Sequence, residues 1–315
     1  LNAMLGAEGR TVDASLSPEP EPLTDGKDMR RILESAASGA YETAVFWGAN
    51  PAYAFPDPDL WQAAVSAIPS KAFIGMHGDE TARNCGLILA ENHWLESWND
   101  FEPQAGVLSL QQPAIGPIFN TRQGEDILLG VLSGLHPSLP KTYRDYLTAR
   151  WKSSVFPGKA AVSFERFWDA CLHDGVFSWS ESPKPQRKLD PKAVADAARK
   201  ASSATEVRDR TADFELVLAP AASVHDGRYA NNGWLQELPH PMTKLAWGNS
   251  AAMSPADADR LGLKDGSLVE LSAGKRTAVV PVVIQPGQAP GTLSSCLGYG
   301  RKSGSVARGV GGNLN

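Results

Sequence analysis

Cysteine is scarce, with three residues in 315, at positions 85, 171 and 296. None falls at the close spacings of an iron–sulfur or zinc site, and no disulfide framework is implied. The plain reading is three buried structural thiols. Positive charge is not in excess either: the formal net charge is -5, which gives no electrostatic footprint for nucleic acid or an anionic membrane. No apolar run approaches the roughly 18 residues of a membrane span, and no charged-then-apolar export signal opens the chain. The P-loop, the GxSxG elbow and the HExxH helix are missing. The six histidines (77, 93, 136, 173, 225 and 240) are scattered, with no two at helical metal-ligand spacing. Only His240, between Pro239 and Pro241, lies in a stretch that invites a test, and a solvent-facing loop histidine is the simpler reading there. Glu91 and Glu96 are too weakly specified to form an acid/base pair.

What remains is an ordinary globular composition, 42% hydrophobic, in a chain long enough for two domains. It opens Leu-Asn-Ala-Met and stops at Gly-Gly-Asn-Leu-Asn. Both ends look cut, so the chain reads as a fragment of a longer polypeptide, and a missing export signal says little about the parent.

The first stretch alternates strand and helix signals. Residues 43–47 (TAVFW) form a short apolar run ending at Gly48-Ala49-Asn50-Pro51, and 59–68 follow with helical spacing at Leu60, Ala63, Ala64 and Ala67. Residues 71–76 and 86–90 are further strand signals, with a helix start over 79–83 between them. Short apolar runs separated by short helices indicate a parallel sheet with helices on its faces. Ligands in such sheets sit beyond the carboxyl ends of the strands, which here means residues 48–51 and 77–81. Any doubly wound domain has such loops, and for Asn50-Pro51 a turn that ends a strand is the simpler reading of the residues alone.

From 124 to about 201 the texture is helical, with helices expected over 127–135, 141–151, 164–175 and 191–201, broken by proline-containing connectors at 137–140 and 182–185. Its aromatics (Trp151, Phe156, Phe164, Phe167, Trp168) read as an ordinary core rather than a ligand box. The polar run 202–213 is the expected domain boundary. Beyond it, 214–219 begin a strand. Ser254-Pro255-Ala256-Asp257 opens a helix that ends near Leu261-Gly262. Residues 268–271 and 277–284 flank a hairpin signal at 272–275, and turns at 285–287 and 290–291 precede a last strand. The expected architecture is an α/β domain with a Rossmann-like parallel sheet over 1–135, a helical segment and linker over 136–212, and a small β-barrel over 213–315.

The most informative stretch is 231–249, NNGWLQELPHPMTKLAWGN. It is polar, aromatic and broken by proline, neither a regular helix nor a core strand, and reads as an ordered loop shaped to hold something. A packed structural loop is the competing reading.

These residues resemble the C-terminal domain of the molybdopterin oxidoreductases of the dimethyl sulfoxide reductase superfamily. The phrase SPADADRLGLKDGSLVEL and the hairpin after it look like that family's molybdopterin-dinucleotide-binding, double-psi-like barrel. Gly48-Ala49-Asn50-Pro51, Asp79-Glu80-Thr81-Ala82, His93 to Trp98 (HWLESW) and Gln112 to Pro117 (QPAIGP) resemble its nucleotide-binding domain. Within the superfamily, WLQELP combined with LESW and QQPAI is most similar to the molybdopterin-like subunit of alternative complex III and to polysulfide-reductase-type catalytic subunits. The departures are Cys85-Gly86 and Ala90 around the third strand and Gly248 after Trp247, where an acidic residue is usual.

The resemblance implies that Asn50, Pro51, Asp79, Glu80 and Thr81, with Asn231, Asn232, Trp234 and Gln236 on the barrel side, would help hold a molybdopterin guanine dinucleotide. Phosphate wants N–H donors, and a purine wants carboxylate or amide edges and a flat wall. The cysteine cluster and the loop supplying the metal's protein ligand would lie outside this chain, as would the iron–sulfur clusters. The implied partners are the remaining domains of the parent polypeptide and iron–sulfur and membrane-anchor subunits, with the parent on the periplasmic side of the bacterial cytoplasmic membrane. Two functions follow as expectations. One is a part of a molybdopterin-dependent oxidoreductase for respiratory electron transfer; the other is a cofactor-free structural subunit of a quinol-oxidising complex that scaffolds iron–sulfur electron transfer.

Overall fold

The computed structural model describes residues 2, 4–7, 10–12, 26–104, 106–157, 162–178, 190–205, 213–274 and 276–315. After helix α1 (Gly26–Ala37) the chain runs through β1 (Thr43–Trp47), the short α2 (Pro51–Ala54), α3 (Pro58–Ala67), β2 (Ser70–Gly75) and β3 (Leu87–Ala90), and these three strands form a parallel sheet in the order β1-β2-β3. Helix α3 forms where the sequence supplies its start. Asp57 caps it by accepting the Leu60 N–H at 3.1 Å, Pro58 sets the first turn, and Trp61, Ala64 and Val65 recur on the buried face. The helix start expected over 79–83 is instead a single 3₁₀ turn, Ala82–Asn84.

The described chain divides into two compact units. The first comprises Leu1–Arg30, Ile74–Met76 and Leu89–Asp196. It contains a sheet of β4 (Asn99–Gln104), β5 (Val107–Gln111) and β6 (Val176–Ser178), with helices α4 (Gly124–Ser133), α5 (Tyr143–Arg150) and α6 (Phe164–Asp174) and the start of α7 (Pro191–Thr205). Leu108 and Leu110 of β5 pack with Leu147, Trp151, Val155, Phe164, Trp168 and Cys171, so the aromatic middle of the chain is a core. Trp151 is fully buried and its indole N–H donates to Asp100 Oδ2 at 2.8 Å. The β4–β5 hairpin was not anticipated. Its first strand reads NDFEPQ, with a register irregularity between Phe101 and Gln104 that accommodates Pro103. Two of the family-like phrases bind each other here: Ala114 N–H donates to Leu95 O at 2.7 Å, and Glu96 accepts from the Ile118 and His93 N–H groups at 2.9 Å each.

The second unit comprises Arg31–Phe73, His77–Ile88 and Ala197–Asn315. Its strands are β7 (Glu215–Pro220), β8 (Ala251–Met253), β9 (Leu268–Ala273), β10 (Arg276–Ile284) and β11 (Thr292–Leu297), and its later helices are α8 (Gly233–Glu237) and α9 (Pro255–Leu261). The sheet order is β7-β11-β8-β10-β9, with β7–β11 and β8–β10 parallel and the other pairs antiparallel. Among the described residues this is a five-stranded mixed sheet with β7 and β9 at its ends rather than a closed barrel. Helix α9 is capped as its sequence indicates. Ser254 Oγ accepts the Asp257 N–H at 3.1 Å, and Gly262 ends the helix in the left-handed region at φ 66°. Met253, Ala258, Val282 and Leu293 form the core beneath it; burying a large aliphatic side chain of this kind stabilises by about 1.5–3 kcal/mol. The connector at 182–185 and residues 206–212 lie outside the described residues, while the start of the expected boundary at 202–213 is helical, because α7 runs on to Thr205.

Candidate functional site

All nine residues implied by the resemblance fall in the second unit. Strand β1 ends at Gly48, whose φ of 60° turns the chain into Asn50-Pro51. Asn50 precedes α2 but makes no side-chain cap. Its amide reaches instead to the loop after β2: Asn50 Oδ1 accepts from Thr81 Oγ1 at 2.9 Å and from the Thr81 N–H at 3.2 Å, and Nδ2 donates to Glu80 Oε2 at 2.8 Å. Thr81, fully buried, also accepts the Ala52 N–H at 3.1 Å. Asp79 accepts the Ala82 N–H through Oδ1 at 2.9 Å, and burial raises its carboxyl above the usual range.

Glu80 is the most heavily bonded group in the unit. Its carboxylate accepts five hydrogen bonds from four donors. Oε2 accepts from Asn50 Nδ2 at 2.8 Å and Arg301 Nε at 3.0 Å, and Oε1 accepts from Arg301 Nε at 3.2 Å and from the N–H groups of Lys302 at 2.6 Å and Ser303 at 2.8 Å. Arg301 Nη2 adds an ion-pair contact with Oε2 at 2.8 Å. The two charged side chains are 10% and 9% exposed. Burial pushes the Glu80 carboxyl up, but hydrogen bonds from Arg301 and Asn50 outweigh it and hold the group at about 2. Arg301 also donates to Gly227 O at 2.7 Å and lies 4.9 Å over the ring of Tyr53. The Tyr53 hydroxyl donates to Tyr299 O at 2.7 Å, and burial raises it to about 12. Gly227 is obligatory at this junction, because a Cβ there would lie 2.8 Å from Tyr53 Cε1. Sequence reasoning missed Tyr53, Arg301 and Ser303, since RKSGS at 301–305 has no periodicity and no motif spacing that marks it.

The 231–249 stretch contains a helix that the sequence reading excluded. Asn232 Oδ1 accepts the Trp234 and Leu235 N–H groups at 3.0 and 3.3 Å and starts α8, a single turn too short to leave a periodic signal. Asn231 Oδ1 accepts the Val306 N–H at 2.9 Å and the Ala307 N–H at 3.4 Å. Gln236 is 1% exposed; Nε2 donates to Ala230 O at 2.7 Å, whereas Oε1 has no partner among the described residues. Ser303 Oγ, fully buried, likewise has none. Trp234 stands out at 85% exposed. The nine residues therefore separate into a knot at 50–51 and 79–81, the loop bonds of Asn231 and Asn232, one half-satisfied amide and one solvent-facing indole.

Beside them, His240, Thr243, Asn249, Ser294 and Cys296 line a cleft of about 200 Å³ over the β7–β11–β8 face. His240 Nδ1 accepts the Met242 and Thr243 N–H groups at 3.3 Å each, which leaves the proton of the neutral ring on Nε2. Of the three thiols only Cys171 is fully buried; Cys85 and Cys296 are partly exposed, correcting the expectation of three buried ones, because they sit at a loop and in the cleft. Among the described residues no group of three or more His, Cys, Asp or Glu could hold a metal ion, and no helix is long and apolar enough to cross a membrane.

Residues 226–315 match the molydopterin dinucleotide binding domain. Over 149 residues the chain is 28% identical to the menaquinone reductase, molybdopterin-binding-like subunit, of Nitratidesulfovibrio vulgaris, which covers 42% of this chain and 21% of that protein. The chain thus spans about a fifth of that relative's length. Among solved structures, the acetylene hydratase from Pelobacter acetylenicus superposes with a TM-score of 0.62 at 12% identity, covering 88% of this chain and 40% of that one. At that identity the likeness shows the fold.

Proposed function

We propose that this chain, whose residues 226–315 carry a molydopterin dinucleotide binding domain, forms one wall of a molybdopterin guanine dinucleotide site in a molybdopterin-family oxidoreductase of respiratory electron transfer. One observation carries the reading. Three buried side-chain oxygens stand without partners among the described residues, and two of them, Gln236 Oε1 and Ser303 Oγ, lie on segments tied into the Asn231 region of the matched domain, Ser295 Oγ being the third. A buried polar group left unpaired costs about 1–3 kcal/mol, and a ligand with amide N–H edges and oxyanions would relieve both.

The residues would divide the work by chemistry. Gln236 Oε1 accepts an N–H from a pterin or purine edge, and the Ser303 hydroxyl donates to a phosphate or carbonyl oxygen. Asp79, half-buried, pairs with the N–H edge of guanine. The exposed Trp234 indole supplies a flat apolar wall that excludes water. Asn50, Pro51, Thr81 and Asn232 shape the backbone around these contacts. The cofactor, when bound, supplies the metal-centred redox chemistry; the protein binds and orients it. The expected partition at 1–135, 136–212 and 213–315 is proposed as the order of domains in the parent, with iron–sulfur and membrane-anchor subunits as its partners.

One observation favours a second reading, a cofactor-free scaffold within a respiratory complex. Asn50, Glu80 and Thr81 bond their side chains internally, and Asn231 and Asn232 do so through Oδ1, so much of the fold holds without a ligand. Metal and nucleotide analysis of the full-length parent, purified anaerobically, separates the two. Stoichiometric molybdenum or tungsten with guanine nucleotide supports the first; iron with neither metal nor guanine supports the second.

A further inference from the structure

We infer that Glu80 and Asn231 are positioning residues: they clamp the 301–307 loop at its two ends and do not themselves touch the ligand. The inference rests on the dinucleotide reading above for what the loop presents, while the clamp itself stands on geometry alone. A carboxylate offers about four lone-pair directions, and Glu80 already accepts from four donors with Arg301 Nη2 against it as well, so nothing of it is left for a guanine edge. Two of those donors are consecutive backbone N–H groups, of Lys302 and Ser303, which fixes the peptide planes at the start of the loop. The far end is held by one atom, Asn231 Oδ1, which accepts from Val306 and Ala307. The neck is closed by the Gly309 N–H donating to Arg301 O at 2.9 Å.

Between the clamps the chain passes through Gly304 at φ 102°, where a Cβ would lie 2.6 Å from Asn231 Oδ1. The turn therefore requires glycine for both conformation and space. Arg301 is fixed in its turn by Gly227 O and by the Tyr53 ring, so the pose of the loop is set by three separate stretches of sequence, at 53, 80 and 227–231. The result is that Ser303 keeps an unpartnered hydroxyl in a defined place, and its placement depends on two side chains that a motif match alone would assign to the ligand.

The test is hydrogen exchange on the 315-residue chain without ligand, comparing wild type with Glu80→Gln, Glu80→Asp and Asn231→Ala. Glutamine keeps the size of the side chain but turns one acceptor into an NH₂ facing other donors. Exchange at Lys302 and Ser303 is expected to quicken about tenfold or more in Glu80→Gln and to recover in part in Glu80→Asp. Exchange at Val306 and Ala307 is expected to quicken in Asn231→Ala. Unchanged exchange at those amides overturns the inference. Should Glu80→Gln fail to fold, Arg301→Lys, which keeps the charge and loses the fork, loosens the same two amides if the clamp is real and leaves them unchanged if it is not. Titration with GDP, which carries the guanine and diphosphate of the dinucleotide, adds a second readout. Weaker GDP binding by Glu80→Gln with unaltered loop exchange would make Glu80 a ligand contact and overturn the inference. A wild-type chain that ignores GDP while the variants still loosen the loop would support the clamp and count against the dinucleotide reading alone.

Discussion

Burial pushes the Glu80 carboxyl up, and the net downward shift that keeps it ionised is made by Arg301 and the amide donors around it. Its folded pKa of about 2 lies below the ordinary 4.5. The pair therefore contributes stability that is fully present above about pH 5 and is lost as pH falls through about 2. A few kcal/mol are at stake, so acid unfolding of the chain should steepen between about pH 4.5 and 2. Glu80→Gln should flatten that slope while lowering stability at neutral pH, as read by thermal melts across pH. At the same scale, Ser303→Ala removes a buried hydroxyl that has no partner among the described residues. Its melting temperature should stay or rise, by up to ~1 kcal/mol in stability, while retention of guanine nucleotide by the parent falls. A marked loss of stability would show that the hydroxyl has a structural partner. Gly227→Ala should destabilise by about 1–3 kcal/mol in chemical denaturation, through the 2.8 Å approach to Tyr53 and a φ of 98°.

At the level of elements, what could be read from the sequence was whatever repeats or is punctuated. Helix α9 declared itself through Ser254-Pro255 and Gly262, α3 through the spacing of Leu60, Ala63, Ala64 and Ala67, and the β9–β10 hairpin through the Val-rich runs that flank 272–275. Helix α8 did not, because one turn has no period. Strands β4 and β8 were hidden for different reasons: β4 is polar and contains Pro103, and β8 is three residues long. The knot of Glu80, Arg301 and Tyr53 joins residues about 220 positions apart, and no local pattern can signal a pairing at that distance. Asn232→Ala should destabilise α8 by about 1 kcal/mol, the usual worth of a cap. The loss should appear as faster exchange at Trp234 and Leu235 with α9 unaffected; equal loosening of both helices would count against a local cap.

For the molecule as a whole, the resemblance on 231–249 and 254–271 led to a domain that the match at 226–315 supports, and the helical middle proved to be core. The expected barrel is a five-stranded sheet among the described residues, since strand patterns reveal pairing but not closure. The two compact units are also discontinuous in sequence, exchanging residues 74–76 and 77–88 in a way that no composition shift marks. The central claim is that the second unit presents Gln236 and Ser303 to a guanine dinucleotide. Its most direct test is the guanine nucleotide released on acid treatment of the full-length parent, with and without Gln236→Leu, a change that removes the unpartnered oxygen and keeps the bulk. The account predicts stoichiometric guanine from the wild type and a several-fold loss from the variant. Equal guanine from both, or none from either, would contradict it.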